Sequence, residues 1–322
     1  MSIPIIYSPK HREHNPPYEL YDGVRESYAE VPDRIESIVE SLKSIRFGNF
    51  KNPLSFPLHH ILAVHDLEYV RFIKNRSKGL KKSELLFPSY FINDTYAPLT
   101  RGTFSAAKSS ADTALTGADR LLRGDQIVYA LTRPPGHHAE PSRMGGYCYF
   151  NNAAIAAQYL SGKGKVAILD IDFHHGNGTQ SIFYDRSDVL YVSLHADPRQ
   201  KFPYYSGFAN ETGRGGGIGY TKNYSLRLGT GNRVYRSVLL NAIEEIRKYN
   251  PKYLIVSAGF DTYEHDPIGG FRLTMPFYET IGKDISSLNL PTLIIQEGGY
   301  HVKDLGEMAV RFLKGISHKI LT

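Results

Sequence analysis

Apolar residues gather in short, near-continuous, β-branched runs, with helical periodicity between or before them. Runs at 127–131, 166–169, 189–194, 253–257 and 292–295 predict buried strands. Continuous apolarity, rather than alternation, marks parallel strands covered on both faces. Segment 104–122, with Thr103 as N-cap, and segment 152–160 predict helices. Segment 234–249 sets Val234, Val238, Ala242 and Ile246 four apart on one stripe. The alternation predicts an α/β fold with a mostly parallel sheet flanked by helices. Residues 74–103 and the glycine-rich 204–224 have no clear period and read as long surface loops. No repeat or low-complexity linker divides the chain, so 1–322 reads as a single domain.

The chemistry follows the strands. The first predicted strand runs into Arg133-Pro134-Pro135-Gly136-His137-His138. The second runs into Asp170-Ile171-Asp172-Phe173-His174-His175-Gly176-Asn177-Gly178, and the third into Ser193-Leu194-His195-Ala196-Asp197. The fourth leads to Gly259-Phe260-Asp261-Thr262 and the fifth to Glu297-Gly298-Gly299-Tyr300. In a parallel sheet the carboxyl ends share one rim, where ligand crevices form.

Composition narrows the classes. With 322 residues, 41% hydrophobic and 22% charged, the chain can bury a large core. No apolar run nears the ~20 residues of a membrane span. The opening residues show no secretory pattern, so a cytoplasmic protein is expected. The lone Cys148 excludes an intrachain disulfide and a cysteine zinc cluster, so any metal must rest on His, Asp, Glu or backbone oxygens. Lys and Arg number 38 against 32 Asp and Glu, a net +6 spread along the chain. With no arginine-rich arm and no RNA-binding aromatic motif, nucleic acid is not expected as a partner. A basic chain does not draw in a cation, so a cationic substrate needs local acids.

Asp172 and His174, at i and i+2 on an extended segment, leave the backbone on one side and can grip a divalent ion, with Asp261 as third ligand. An isolated Asp-x-His is more often a helix cap beside a core histidine. Four histidines and three aspartates on adjacent rims favour the metal. His137 and His138 each need a partner to fix a tautomer, and Asp170 and Asn177 are available. A carboxylate partner holds a charged ring; an amide orients a neutral one suited to general-base work. Tyr300, after two glycines, can reach the crevice and donate to an oxyanion. Cys148 reads as a small buried thiol rather than a nucleophile, and Tyr147 as a channel wall.

In their order and spacing these motifs resemble the signatures of the histone deacetylase superfamily, on the arginase–deacetylase fold, over essentially the whole chain. The resemblance implies zinc, or ferrous iron in cells, on Asp172, His174 and Asp261. It implies His138 as general base and acid with Asn177 beside it, His137 as electrostatic partner paired with Asp170, and Tyr300 as the donor that polarises a carbonyl. It also implies potassium at Asp170, Asp172, His174, Ser193 and Leu194, partly through backbone oxygens, and an outer site around Phe183 and Val189. Glu19-Leu20-Tyr21-Asp22-Gly23, the loop carrying Phe202-Pro203-Tyr204-Tyr205, and Asp266-Pro267-Ile268 are similar to bacterial acetylpolyamine amidohydrolases. That similarity implies a small acetylated amine as substrate, met by Glu19 and Asp94 and lined by Tyr147, Tyr204 and Ile268. Ile268 stands where some polyamine deacetylases carry an acid. Long-loop relatives form homodimers that narrow the entrance, and 74–103 is the segment here that could do so. The alternatives are an acetyl-lysine deacetylase, a two-manganese ureohydrolase of arginase type, and a non-catalytic module that binds acetylated amines.

Overall fold

The computed structural model describes residues 3–321. In chain order the strands are β1 (Pro4–Ile6), β2 (Tyr18–Tyr21), β3 (Val24–Ser27), β4 (Asn49–Lys51), β5 (Ile127–Ala130), β6 (Val166–Asp170), β7 (Val189–Ala196), β8 (Thr221–Leu226), β9 (Tyr253–Ala258) and β10 (Thr292–Gln296). The helices are α1 (Asp33–Ser44), α2 (His59–Leu62), α3 (Leu67–Gly79), α4 (Thr103–Leu122), α5 (Asn152–Ser161), α6 (Asn177–Phe183), α7 (Asn232–Tyr249), α8 (Phe277–Ser286) and α9 (Val302–Leu321).

Eight strands form one sheet in the order β4-β1-β5-β10-β9-β6-β7-β8, and every pairing in it is parallel. Two cores sandwich this sheet. On β6, Ala167 and Leu169 enter the core shared with α1, α7, α8 and α9, while Val166 and Ile168 enter the one shared with α3, α4 and α5. Both faces of each central strand are buried, which is why its sequence is apolar throughout. β2 and β3 form a separate hairpin pairing Glu19 with Glu26. Asp22 and Gly23 close it at φ +47° and +80°, the two-residue left-handed turn that Asp-Gly favours.

All five predicted strands are present. β1 and β4, at three residues each, are too short to leave a run. β8 begins inside the segment read as a loop and runs two residues past it. At the sheet edge it alternates buried and part-exposed positions instead of being apolar throughout. Residues 74–79, also read as loop, are the last turns of α3. Thr103 does not cap α4: Gly102 holds that position, and the Thr103 hydroxyl accepts from the Thr100 N–H at 2.8 Å. On α7 the buried face is Tyr235, Leu239, Ala242, Ile243 and Ile246, and Val234 is exposed. A strict four-residue stripe drifts off a 3.6-residue helix. Among the described residues no helix is long and apolar enough to cross a membrane.

Candidate active site

Four loops converge at the carboxyl edge of the sheet. β6 ends at Asp170, so Asp172 and His174 lie just beyond the strand rather than on it. Alternate residues there cap the chain ahead of them. Asp170 Oδ1 accepts the Asp172 N–H at 3.1 Å, and Asp172 Oδ1 accepts the His174 N–H at 2.9 Å. These local bonds, a habit of aspartate in turns, bring Asp172 and His174 together. Asp261, after β9, accepts the Phe173 N–H on Oδ1 at 2.9 Å. Gly298, after β10, donates its N–H to Asp172 Oδ2 at 2.8 Å. A Cβ at Gly298 would stand 2.6 Å from carboxylate oxygens of both Asp172 and Asp261, so only glycine lets this backbone approach.

Asp172, His174 and Asp261 are buried, and each offers a ligand atom within 4.8 Å of the others. His174 Nδ1 is 3.0 Å from Asp261 Oδ2 and 3.4 Å from Asp172 Oδ1. The edge of a tetrahedron with ~2.0 Å bonds is about 3.3 Å. Two buried carboxylates with one imidazole between them need a cation, and the donor set fits a divalent metal with an open position.

His137 and His138 take their expected partners. His137 Nδ1 is 3.1 Å from Asp170 Oδ2, and its Nε2 is 3.7 Å from Asp172 Oδ1. Burial disfavours charge on this ring, but Asp172 and Asp170 together raise it to about 10. His138 Nδ1 is 2.8 Å from the amide oxygen of Asn177. Burial first, then His137 and His174, lowers it well below the ordinary imidazole value. The two neighbouring rings are thus pushed in opposite directions, His137 toward the charged form and His138 toward the neutral one. Glu297 clamps the turn that carries them, its Oε2 accepting the Gly136 and His137 N–H groups at 2.7 and 3.2 Å.

Tyr300 is seated from below. Arg34 stacks 4.7 Å from its ring centroid and donates to the carbonyls of Gly299 and Glu297. Asp266 Oδ2 accepts the Tyr300 N–H at 2.6 Å. Burial pushes the phenol well above its usual value, outweighing Arg34, so it stays a hydrogen-bond donor. Cys148 is buried and its thiol, raised by burial, donates to the Gly146 carbonyl.

A cavity of about 450 Å³ is lined by His138, His174 and Tyr300 at its inner end and by Tyr21, Glu26 and Tyr204 toward solvent. Glu19, Tyr147 and Ile268 line it too. Glu19 is only 5% exposed. Its carboxylate accepts from the Tyr147 hydroxyl at 3.0 Å and the Ala29 N–H at 3.4 Å. Tyr147, at φ +67°, is a bulky residue in a backbone region it rarely adopts, held there by the packed wall. Asp94 does not line the cavity, contrary to the expectation that it meets substrate: its carboxylate accepts the N–H groups of Gly146 and Tyr96 at 2.9 and 2.8 Å and fixes that turn. The potassium candidates Asp170 and Ser193 are register partners on β6 and β7.

Arg34, Glu140, Glu26 and Lys201 are not singled out by the sequence, and Phe202 is legible there only as part of a loop motif. Phe202 lines the cavity with its ring edge-on to His138, 4.8 Å between centroids. Arg34 supports Tyr300, and Glu140 touches Asn177 at 2.9 Å. Glu26 had a legible signal, since the Asp22-Gly23 turn places it opposite Glu19.

A three-layer α/β fold with an Asp–His–Asp donor set, a neutral histidine and a phenol at its strand ends defines a metal-dependent hydrolase site. Comparison narrows the class. The histone deacetylase domain family matches residues 28–316, and the chain belongs to that family of deacetylases. It is 43% identical to acetylpolyamine amidohydrolase 2 of Pseudomonas aeruginosa, covering 96% of this chain and 97% of that one. It is 39% identical to the acetylpolyamine amidohydrolase of Mycoplana ramosa, over 97% and 99% of the two chains. The crystal structure of an acetylpolyamine aminohydrolase from Burkholderia pseudomallei superposes with a TM-score of 0.93 at 36% identity, covering 98% of this chain and 99% of that one.

Proposed function

We propose that the chain hydrolyses acetylated polyamines to acetate and free amine. The observation that carries this reading is the cavity itself. It joins the inner end at His138, His174 and Tyr300 to a pair of carboxylates, Glu19 and Glu26, from one hairpin. A net-basic chain thereby gains a local acidic patch able to meet an ammonium group. Full-length similarity to acetylpolyamine amidohydrolases supports the same substrate class.

Asp172, His174 and Asp261 would hold zinc, which supplies Lewis acidity to a carbonyl and to water. His138, with its proton on Nδ1 toward Asn177, presents Nε2 to take a proton from the attacking water and return it to the departing amine. His137 stays protonated and faces the developing negative charge with a fixed positive one. Tyr300 donates its phenol hydrogen to the oxyanion. Tyr147 and Phe202 flank the passage with flat aromatic surface that suits a methylene chain. We assign potassium to Asp170, Asp172, His174, Ser193 and Leu194, where it would brace the β6–β7 ends.

A second reading, hydrolysis of acetyl-lysine in peptides, is favoured by Ile268 and Lys201, which line the cavity and do not attract a cation. Zinc-loaded protein assayed with acetylputrescine, acetylcadaverine, acetylspermidine and acetyl-lysine peptides separates the two. Higher kcat/KM on the small amines supports the first reading, and preference for the peptides overturns it.

A further inference from the structure

Asn177 can face His138 in two ways, and the choice decides where the ring proton sits. Its Oδ1 lies 2.8 Å from His138 Nδ1. Its Nδ2 donates to Glu140 Oε1 at 2.9 Å and to the Tyr205 hydroxyl oxygen at 3.0 Å. The same Glu140 oxygen accepts from the Tyr205 hydroxyl at 2.9 Å and from Asn93 Nδ2 at 3.2 Å. Three donors from three residues meet on one carboxylate oxygen.

An ionised carboxylate accepts and cannot donate, whereas an amide side chain does one at each end. With Glu140 on one side, only the NH2 end of Asn177 can face it. The amide oxygen is then turned to His138, where it can pair only with a ring nitrogen that carries hydrogen. The proton is held on Nδ1, and Nε2 keeps its lone pair toward the cavity. A reversed amide would put the proton on Nε2 and abolish the base.

We propose that Glu140, closed by Tyr205, is a positioning residue that sets the His138 tautomer through Asn177. Glu140 and Tyr205 do not line the substrate cavity. With Asn177 they line a separate polar cavity of about 390 Å³. Altering Glu140 therefore removes no substrate contact. Its backbone N–H is bonded to the Arg143 carbonyl independently of its side chain. The proposal rests on His138 being the base.

The test uses the zinc-loaded full chain with acetylputrescine. Glu140→Ala is expected to lower kcat by roughly 10- to 100-fold, the usual cost of losing an orienting partner, with KM and zinc content little changed. Glu140→Gln keeps an acceptor oxygen and is expected to restore most of kcat. In protein labelled with 15N-histidine, the His138 ring, identified by its absence from His138→Ala, should show a protonated Nδ1 in wild type and Glu140→Gln. It should show mixed tautomers in Glu140→Ala. Any of the following overturns the proposal: wild-type kcat in Glu140→Ala, a loss confined to KM, no rescue by Gln, or an unchanged tautomer. A wild-type ring protonated on Nε2 overturns it without any variant. Retained turnover in His138→Ala would instead discard the base assignment, and the tautomer spectra would still decide what Glu140 does.

Discussion

His137 and His138 are chain neighbours with ring centroids 4.0 Å apart, yet they end on opposite sides of neutrality. Both are buried, so desolvation alone would discharge both. His137 is rescued by Asp170 and Asp172, while the hydrogen-bond partner of the His138 ring is the neutral amide of Asn177. The charged ring then helps keep its neighbour neutral. His138→Ala is expected to lose most turnover while retaining metal, measured as kcat beside metal analysis. Activity surviving there would move the base role to His137.

The Tyr300 phenol is a neutral donor seated by Arg34 and Asp266. Tyr300→Phe keeps the ring over Arg34 and removes only the donor. The expected result is native zinc content and Tm with kcat down about a hundredfold, the typical cost of one oxyanion donor. Near-normal kcat would leave the metal as sufficient polariser.

Asp172 and Asp261 oppose each other across His174. Metal binding to the folded state alone should raise Tm with concentration. Removing zinc with a chelator is expected to lower Tm, and adding it back should restore Tm. Asp261→Ala should show neither response and no bound metal by elemental analysis. Full occupancy in that variant would sink the ligand assignment.

Burial raises Glu19 to about 7 against the bonds from Ala29 and Tyr147. Below that pH the group is protonated and cannot hold an ammonium. The ratio of kcat/KM for an acetylated diamine to that for a neutral acetamide of equal length should therefore fall as pH drops from 8 to 6. Taking the ratio cancels the titration of groups that act on both substrates. Glu19→Gln should lower this ratio roughly ten- to a hundredfold, from the ~1–3 kcal/mol of a charged hydrogen bond, and flatten its pH dependence. Equal losses on both substrates would remove Glu19 from recognition.

The sequence by itself determined the sheet core and its reactive edge. Strands buried on both faces are written in unbroken apolar runs, and parallel strands carry whatever follows them to one edge. Asp172, His174, Asp261, His137, His138 and Tyr300 were legible for that reason, each directly after a run. The local Asp170-x-Asp172-x-His174 pattern also carries its own backbone caps. Only the tertiary structure decided what lies between distant segments. Glu19 meets Tyr147 across 128 positions, and Arg34 reaches the Gly299 carbonyl across 265. No local pattern encodes such contacts, because they depend on how loops of irregular backbone pack over the sheet. Asp94 shows the converse. An acid expected to meet substrate stands outside the cavity lining and instead accepts two backbone N–H groups, because a turn packed beside the cavity must satisfy its own donors.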